Sequence, residues 1–180
     1  QRGAVDCRSL ESYCDRAVKS AATAGVCRLR QSWSRLRIAR GFRDSLSYQD
    51  VPLWPLLAHR FDYLFAEYAR IALLHLAAAE RVLEVEKPDA IMIEYEEGSY
   101  GRAATVAARR RGTPSLALQH GMHSGPYIPS YYFRRTAWEG CDAVRACPIP
   151  TQTAVFGEIT RRYLTETSTY PEAAVAVEGT

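Results

Sequence analysis

Apolar residues between positions 55 and 86 return at steps of three and four: Leu57, Phe61, Leu64, Phe65, Tyr68, Ile71, Ala72, Leu76 and Ala79. That spacing gathers them on one helical face and predicts the longest helical stretch of the chain, as one helix or two. Lys87-Pro88 ends it, because proline cannot continue a helix. Beyond it the pattern changes. Residues 89–95, 115–119, 153–156 and 173–177 are short apolar runs that read as buried strands, each leading into a loop. Between the first two, residues 99–111 read as a helix. Its small residues Ala103, Ala104, Ala107 and Ala108 allow close packing on a sheet, Ser99 is placed to cap it, and Gly112 with Pro114 closes it. Arg109, Arg110 and Arg111 complement the dipole in its last turn. Residues 158–166 read as another helix. Strand and helix in alternation predict a parallel sheet covered by helices.

The amino-terminal third is less regular. Residues 9–24 fit a helix with Leu10, Tyr13, Cys14, Ala17, Val18 and Ala21 on one face. Residues 28–43 hold Arg28, Arg30, Arg35, Arg37, Arg40 and Arg43 without an acidic residue, interleaved with Trp33, Leu36, Ile38 and Phe42. Such a run suits an anionic membrane surface or a polyanionic partner. Arginines on the solvated side of a helix are the simpler alternative. Residues 51–55 read as a turn, with Pro52 and Pro55. The expected division is a basic helical segment over 1–50 and an α/β domain over 51–180.

Composition narrows the class. A chain of 180 residues with 47% hydrophobic and 24% charged content can build one ordinary core. The net charge of +3 gives no reason to expect a nucleic-acid partner. No apolar run approaches the ~20 residues of a membrane span, and the polar first residues do not form a signal peptide. Five cysteines without CxxC spacing predict free thiols in a reducing, cytoplasmic setting.

In open parallel sheets ligands bind beyond the carboxyl ends of the strands. Glu94, Glu96, Glu97 and Gly98 follow the first strand; Gln119, His120, Gly121 and His123 the second; Gly157 and Glu158 the third. A histidine leaving a buried strand is held rigidly and titrates near neutrality, so His120 is a candidate base or donor, with Gly121 admitting a ligand to the backbone. A histidine bonded to nearby backbone is the alternative. Among the acidic residues, strand alternation would turn Glu94 and Glu96 one way and Glu97 the other. Glu97, then Glu94, are the candidate bases, unless the group merely favours the start of the next helix. His120 and His123 make an H-x-x-H with Cys141 and Cys147 downstream, but the spacing fits no standard zinc site, and no metal is expected. Gly98-Ser-Tyr-Gly101 is an incomplete dinucleotide fingerprint, and no P-loop or nucleophile elbow is present. His59 and His75, alone on the long helix, are expected to be structural.

The order of these motifs resembles a known family. KPDAIMIEYEEGSYGRAATVAARRRGTPSLALQHGMHSGPY, then CPIPTQTAVFGEITRRYLTE, then YPEAAVAVEGT is similar to the amino-terminal domain of GT-B-fold glycosyltransferases that build bacterial surface polysaccharides. The likeness spans roughly residues 60–180. It implies an α/β, Rossmann-like domain that binds a carbohydrate or lipid-linked acceptor near the inner face of the membrane. His120 and Gly121 would line a cleft, Glu97 or Glu94 would activate an acceptor hydroxyl, and Gly157 and Glu158 would lie at the cleft edge. The nucleotide-activated sugar donor would belong to a second domain, expected to follow Gly179, so this chain would need no cofactor of its own and would not turn over alone. A sugar-nucleotide epimerase half and a non-enzymatic α/β binding module remain alternatives.

Overall fold

The computed structural model describes residues 6–96, 98–119, 121, 148–167 and 170–178. It forms two compact units, Gln1–Arg81 and Val82–Thr180. The division therefore falls well after the expected position near residue 50, and residues 51–81 belong with the basic segment. Aromatic packing is the reason.

In the first unit a short 3-10 turn, Leu10–Tyr13, precedes α1, Arg16–Leu36. The helix expected over 9–24 is thus broken at Asp15, whose carboxylate accepts from the Val18 N–H at 2.9 Å as an N-cap. After α2 (Arg40–Ser45), β1 (Ser47–Tyr48) and β2 (Val51–Pro52) pair antiparallel. Gln49 and Asp50 both take positive φ between them, as a tight two-residue hairpin turn requires. The long helical stretch consists of α3 (Trp54–Tyr63), a π turn (Leu64–Tyr68) and α4 (Ala69–Glu86). Buried Trp33 of α1 is the hub: it stacks on Phe65 with centroids 4.4 Å apart and meets Phe42, Trp54 and Phe61 at 5.8–6.2 Å. Its indole N–H donates to Asp62 Oδ1 at 2.9 Å.

The basic run is mostly engaged within this unit. Arg37 pairs with Asp62 at 3.1 Å, and Arg40 with Asp44 at 3.4 Å. Arg43 donates to the Arg37 carbonyl at 2.7 Å and lies over the Trp54 ring. Arg30 donates to the Ala66 carbonyl at 3.0 Å.

The second unit is the α/β part, Rossmann-like as expected. Its strands are β3 (Ile91–Ile93), β4 (Ser115–Leu118), β5 (Gln152–Val155) and β6 (Val175–Val177). They form one parallel sheet in the order β3-β4-β5-β6. Helix α5, Ser99–Arg111, connects β3 to β4 and ends on Gly112 in the left-handed conformation, φ 71°. Helix α6, Glu158–Arg162, continues as a π turn, Tyr163–Thr167. Gly98, not Ser99, occupies the N-cap of α5, and no side chain caps it. Register places Ile93, Ala117, Thr153 and Val175 in one row, and all four are buried. Val155, Leu164, Tyr170 and Val175 form a core cluster. The opposite face is more open, with Met92 on β3 69% exposed. At the amino ends of β4 and β5, Ser115 N–H donates to Thr151 Oγ1 and Thr151 N–H to Ser115 Oγ, fixing their register.

Candidate functional site

Parallel pairing in sequential order brings the four strand exits to one edge. Glu94 and Tyr95 leave β3 exposed, while Glu96 is buried at 7% exposure. The alternation expected to turn Glu94 and Glu96 the same way does not operate, because β3 ends at Ile93 and the backbone turns. Glu94 is therefore the described carboxylate presented to solvent at this exit. Glu97 and His120 lie outside the described residues, as do His123, Cys141 and Cys147.

The glycines at this exit have a structural task. A Cβ on Gly98 would stand 2.9 Å from the Tyr95 ring, and one on Gly101 would stand 2.6 Å from the Glu96 Cα and closer still to the Tyr95 carbonyl. The G-x-x-G spacing thus lets the first turn of α5 rest directly on the Tyr95–Glu96 backbone. That close approach accounts for the partial dinucleotide fingerprint without a dinucleotide.

Gln119 ties two exits together. Its backbone N–H donates to the Ala154 carbonyl at 2.9 Å, extending the β4–β5 ladder. Its buried side chain accepts from the Phe156 N–H at 2.8 Å and donates to the Gly121 carbonyl at 2.7 Å. The amide thus holds the start of the β4 loop against the start of the β5 loop. Expected as a substrate-binding residue, Gln119 has both polar atoms of its side chain bonded to protein backbone. Sequence reasoning could not anticipate this use, since it depends on a partner 37 positions away. Gln119→Leu should lower stability by about 1–2 kcal/mol, because the Phe156 N–H loses its acceptor. Urea unfolding measures the loss, and faster amide exchange confined to residues 119–121 and 156–158 identifies its source.

Gly121 and Gly157 differ from the glycines of α5. A Cβ on either meets nothing within 4 Å, and neither takes a left-handed φ. Their lack of a side chain leaves open space at the edge rather than satisfying a backbone need.

Glu158 is committed to a surface ion-pair network. Arg161 grips it with two hydrogen bonds, 2.8 and 2.6 Å, and bridges to Glu172 at 2.8 Å. Arg162 approaches the same carboxylate at 3.6 Å. Hydrogen bonding from Arg161, opposed by desolvation, holds the Glu158 carboxyl below the usual glutamate range, and the same contacts raise the Arg161 guanidinium. A carboxyl so lowered stabilises the fold fully above the ordinary glutamate pKa and loses that contribution as pH falls through the lowered value. The melting temperature of Glu158→Gln should consequently fall less than that of the parent between about pH 5 and pH 3. Equal acid sensitivity of the two in a calorimetric pH series would contradict the assignment.

Among the described residues no group of three His, Cys, Asp or Glu could hold a metal ion. Cys7, Cys14 and Cys27 are free thiols. His59 is exposed; His75 is part-buried, and desolvation lowers its pKa against an opposing pull from Glu11. No helix among the described residues is long and apolar enough to cross a membrane. One cleft lies at the amino ends of β4 and β5, beside Ser115 and Thr151, and another lies within the first unit. Comparison with protein-family models, with curated proteins and with solved structures finds no match.

Proposed function

We propose that this chain is the acceptor side of a GT-B-type glycosyltransferase of surface-polysaccharide synthesis, holding a carbohydrate or lipid-linked acceptor at the carboxyl edge of the sheet. The observation that carries the reading is the convergence of Glu94, Gly121, Gly157 and Glu178 at neighbouring strand exits of one parallel sheet. Sheets of this type place ligands there. Glu94 supplies an exposed carboxylate able to take the proton of an acceptor hydroxyl as its oxygen bonds to the donor's anomeric carbon, while the bond from that carbon to the phosphate oxygen breaks and the nucleotide leaves with the electron pair. Glu97 and His120 belong to the same segments of sequence and share that candidacy. The open space at Gly121 and Gly157 admits a sugar ring close to the backbone. The nucleotide-sugar donor would be held by a second domain, and the reaction would take place in the cytoplasm at the inner face of the membrane.

Amide NMR of the chain, titrated with a panel of oligosaccharides and short-chain lipid-linked saccharides, tests this. Saturable shifts are expected at Gln119, Gly121, Gly157 and Glu158. Gly121→Ala and Gly157→Ala should change stability by less than about 0.5 kcal/mol while weakening saccharide binding several-fold. Saccharides that leave these amides unmoved would overturn the reading. A non-enzymatic module is the second reading, favoured by the cleft within the first unit, which uses no residue of the sheet edge. It would be supported if the glycine variants altered nothing.

A further inference from the structure

The first unit contains a cleft unrelated to the sheet. It lies between α1 and α4 and has a volume of about 400 Å³, the size of a small-ligand pocket. Its apolar wall comes from Ala22, Val26 and Leu74, of which Ala22 and Val26 are buried. Thr23, Cys27 and three cations, Lys19, Arg30 and Arg70, complete the lining, and no carboxylate is part of it. Periodicity explains the arrangement on α1: positions 19, 22, 26 and 30 fall on one stripe of the helix.

The cations are not consumed by internal pairing. Lys19 makes no side-chain ion pair among the described residues. Arg70 makes only a loose, exposed ion pair with Glu67, at 3.9 Å and without a hydrogen bond. Arg30 spends one donor on the Ala66 carbonyl at 3.0 Å, which orients the guanidinium and leaves further N–H groups for a ligand. Ala66 lies inside the π turn Leu64–Tyr68. Such turns recur at functional sites, because they displace the helix locally. All three cations are exposed at the mouth of the cleft, above its buried Ala22 and Val26 floor, where a ligand's anionic head can reach them. Arginine forks match the planar oxygens of carboxylate and phosphate alike.

We propose that this cleft binds an amphiphilic oxyanion, a carboxylate or phosphate head on a short apolar tail. Arg30, Arg70 and Lys19 hold the head, and Ala22, Val26 and Leu74 receive the tail. The proposal stands apart from the acceptor reading, since every residue it uses lies in the first unit.

The test is calorimetric titration of the full chain with hexyl phosphate and hexanoate, beside inorganic phosphate and hexanol. Saturable binding of the amphiphilic anions is expected, with inorganic phosphate and hexanol each weaker by about tenfold or more. Arg70→Glu and Lys19→Glu, both at exposed positions, should each reduce affinity by about tenfold, while Arg35→Glu, the same charge change outside the cleft, should not. Cys27, an exposed thiol in the lining, provides a readout that needs no variant. Its alkylation by iodoacetamide should slow when hexyl phosphate is bound. Co-sedimentation with phosphatidylglycerol vesicles separates the sources of the head group. Vesicle binding displaced by hexyl phosphate and lost in Arg70→Glu would identify a lipid, and soluble binding without vesicle binding a free metabolite. No saturable binding, unchanged Cys27 alkylation, or equal loss in Arg35→Glu would overturn the proposal.

Discussion

Trp33→Ala should destabilise the first unit by about 3–5 kcal/mol, the range for removing a large buried aromatic side chain. The ring is 6% exposed and touches Phe42, Trp54, Phe61 and Phe65. Its removal leaves a cavity that these rings, held by α2, α3 and the π turn, cannot all close together. It also deprives Asp62 of the indole donor, leaving Arg37 as its described partner. Trp33→Phe separates the two contributions. It keeps much of the volume and should cost about 1–2 kcal/mol, mainly the hydrogen bond. Peptide-resolved hydrogen exchange is the suitable measurement, because it reads the two units separately. Trp33→Ala should raise exchange throughout α1, α2 and α3. Unchanged protection there would refute the hub.

The second large effect is expected in the other unit. Gly101→Ala should destabilise it by about 3 kcal/mol, the upper part of the usual overpacking range. On propensity alone the change would favour a helix, since glycine inside a helix is less stable than alanine by about 1 kcal/mol. The two effects have opposite signs, and geometry decides between them. An added Cβ would overlap the Tyr95–Glu96 backbone, which is the exit of β3 and cannot swing away like a side-chain tip. Helix α5 would have to lift from the strand, disturbing the row of buried Ala103, Ala107 and Ala108. Gly112→Ala makes a useful comparison: nothing lies within 4 Å of its Cβ position, so its cost comes only from the positive φ and should be nearer 1 kcal/mol. Urea midpoints ranking Gly101→Ala above Gly112→Ala in stability would refute the close approach.

These expectations bear on the proposed acceptor edge. Gly101 sets the height of α5 over the loop that carries Glu94 and Glu96, and Gln119 sets the spacing between the next two loops. An edge held by such contacts is preorganised, as a binding site needs to be. Loss of saccharide binding in Gln119→Leu, with Glu94 intact, would be a positioning effect. It should appear as weaker affinity together with altered amide shifts at Gly121 and Phe156.

Local chemistry made much of the second unit legible. The four strands were visible because each is a short apolar run bounded by turn residues. The span of α5 was visible because Gly98 and Gly112 bracket thirteen residues of helical pattern. The end of α4 was visible at Pro88, although Lys87 takes the positive φ that completes the stop. The candidate edge followed from the parallel sheet alone. What failed were expectations that carried a local rule past the end of its element. Alternation was applied to Glu94–Glu97 after β3 had ended, and a helix was read through Asp15, whose side chain starts a new one.

The sequence by itself determined the α/β class, the positions of the strands and the residues at their carboxyl ends, because hydrophobic period, glycine and proline act over a few residues. Tertiary structure alone decided the rest. The strand order β3-β4-β5-β6 and the bond from the Phe156 N–H to Gln119 that braces two loops depend on distant partners. So does the attachment of the basic segment to α3, through the packing of Trp33 on Phe61 and the pairing of Arg37 with Asp62. Such contacts form only when chain segments far apart in sequence meet, and no local pattern records which of them will.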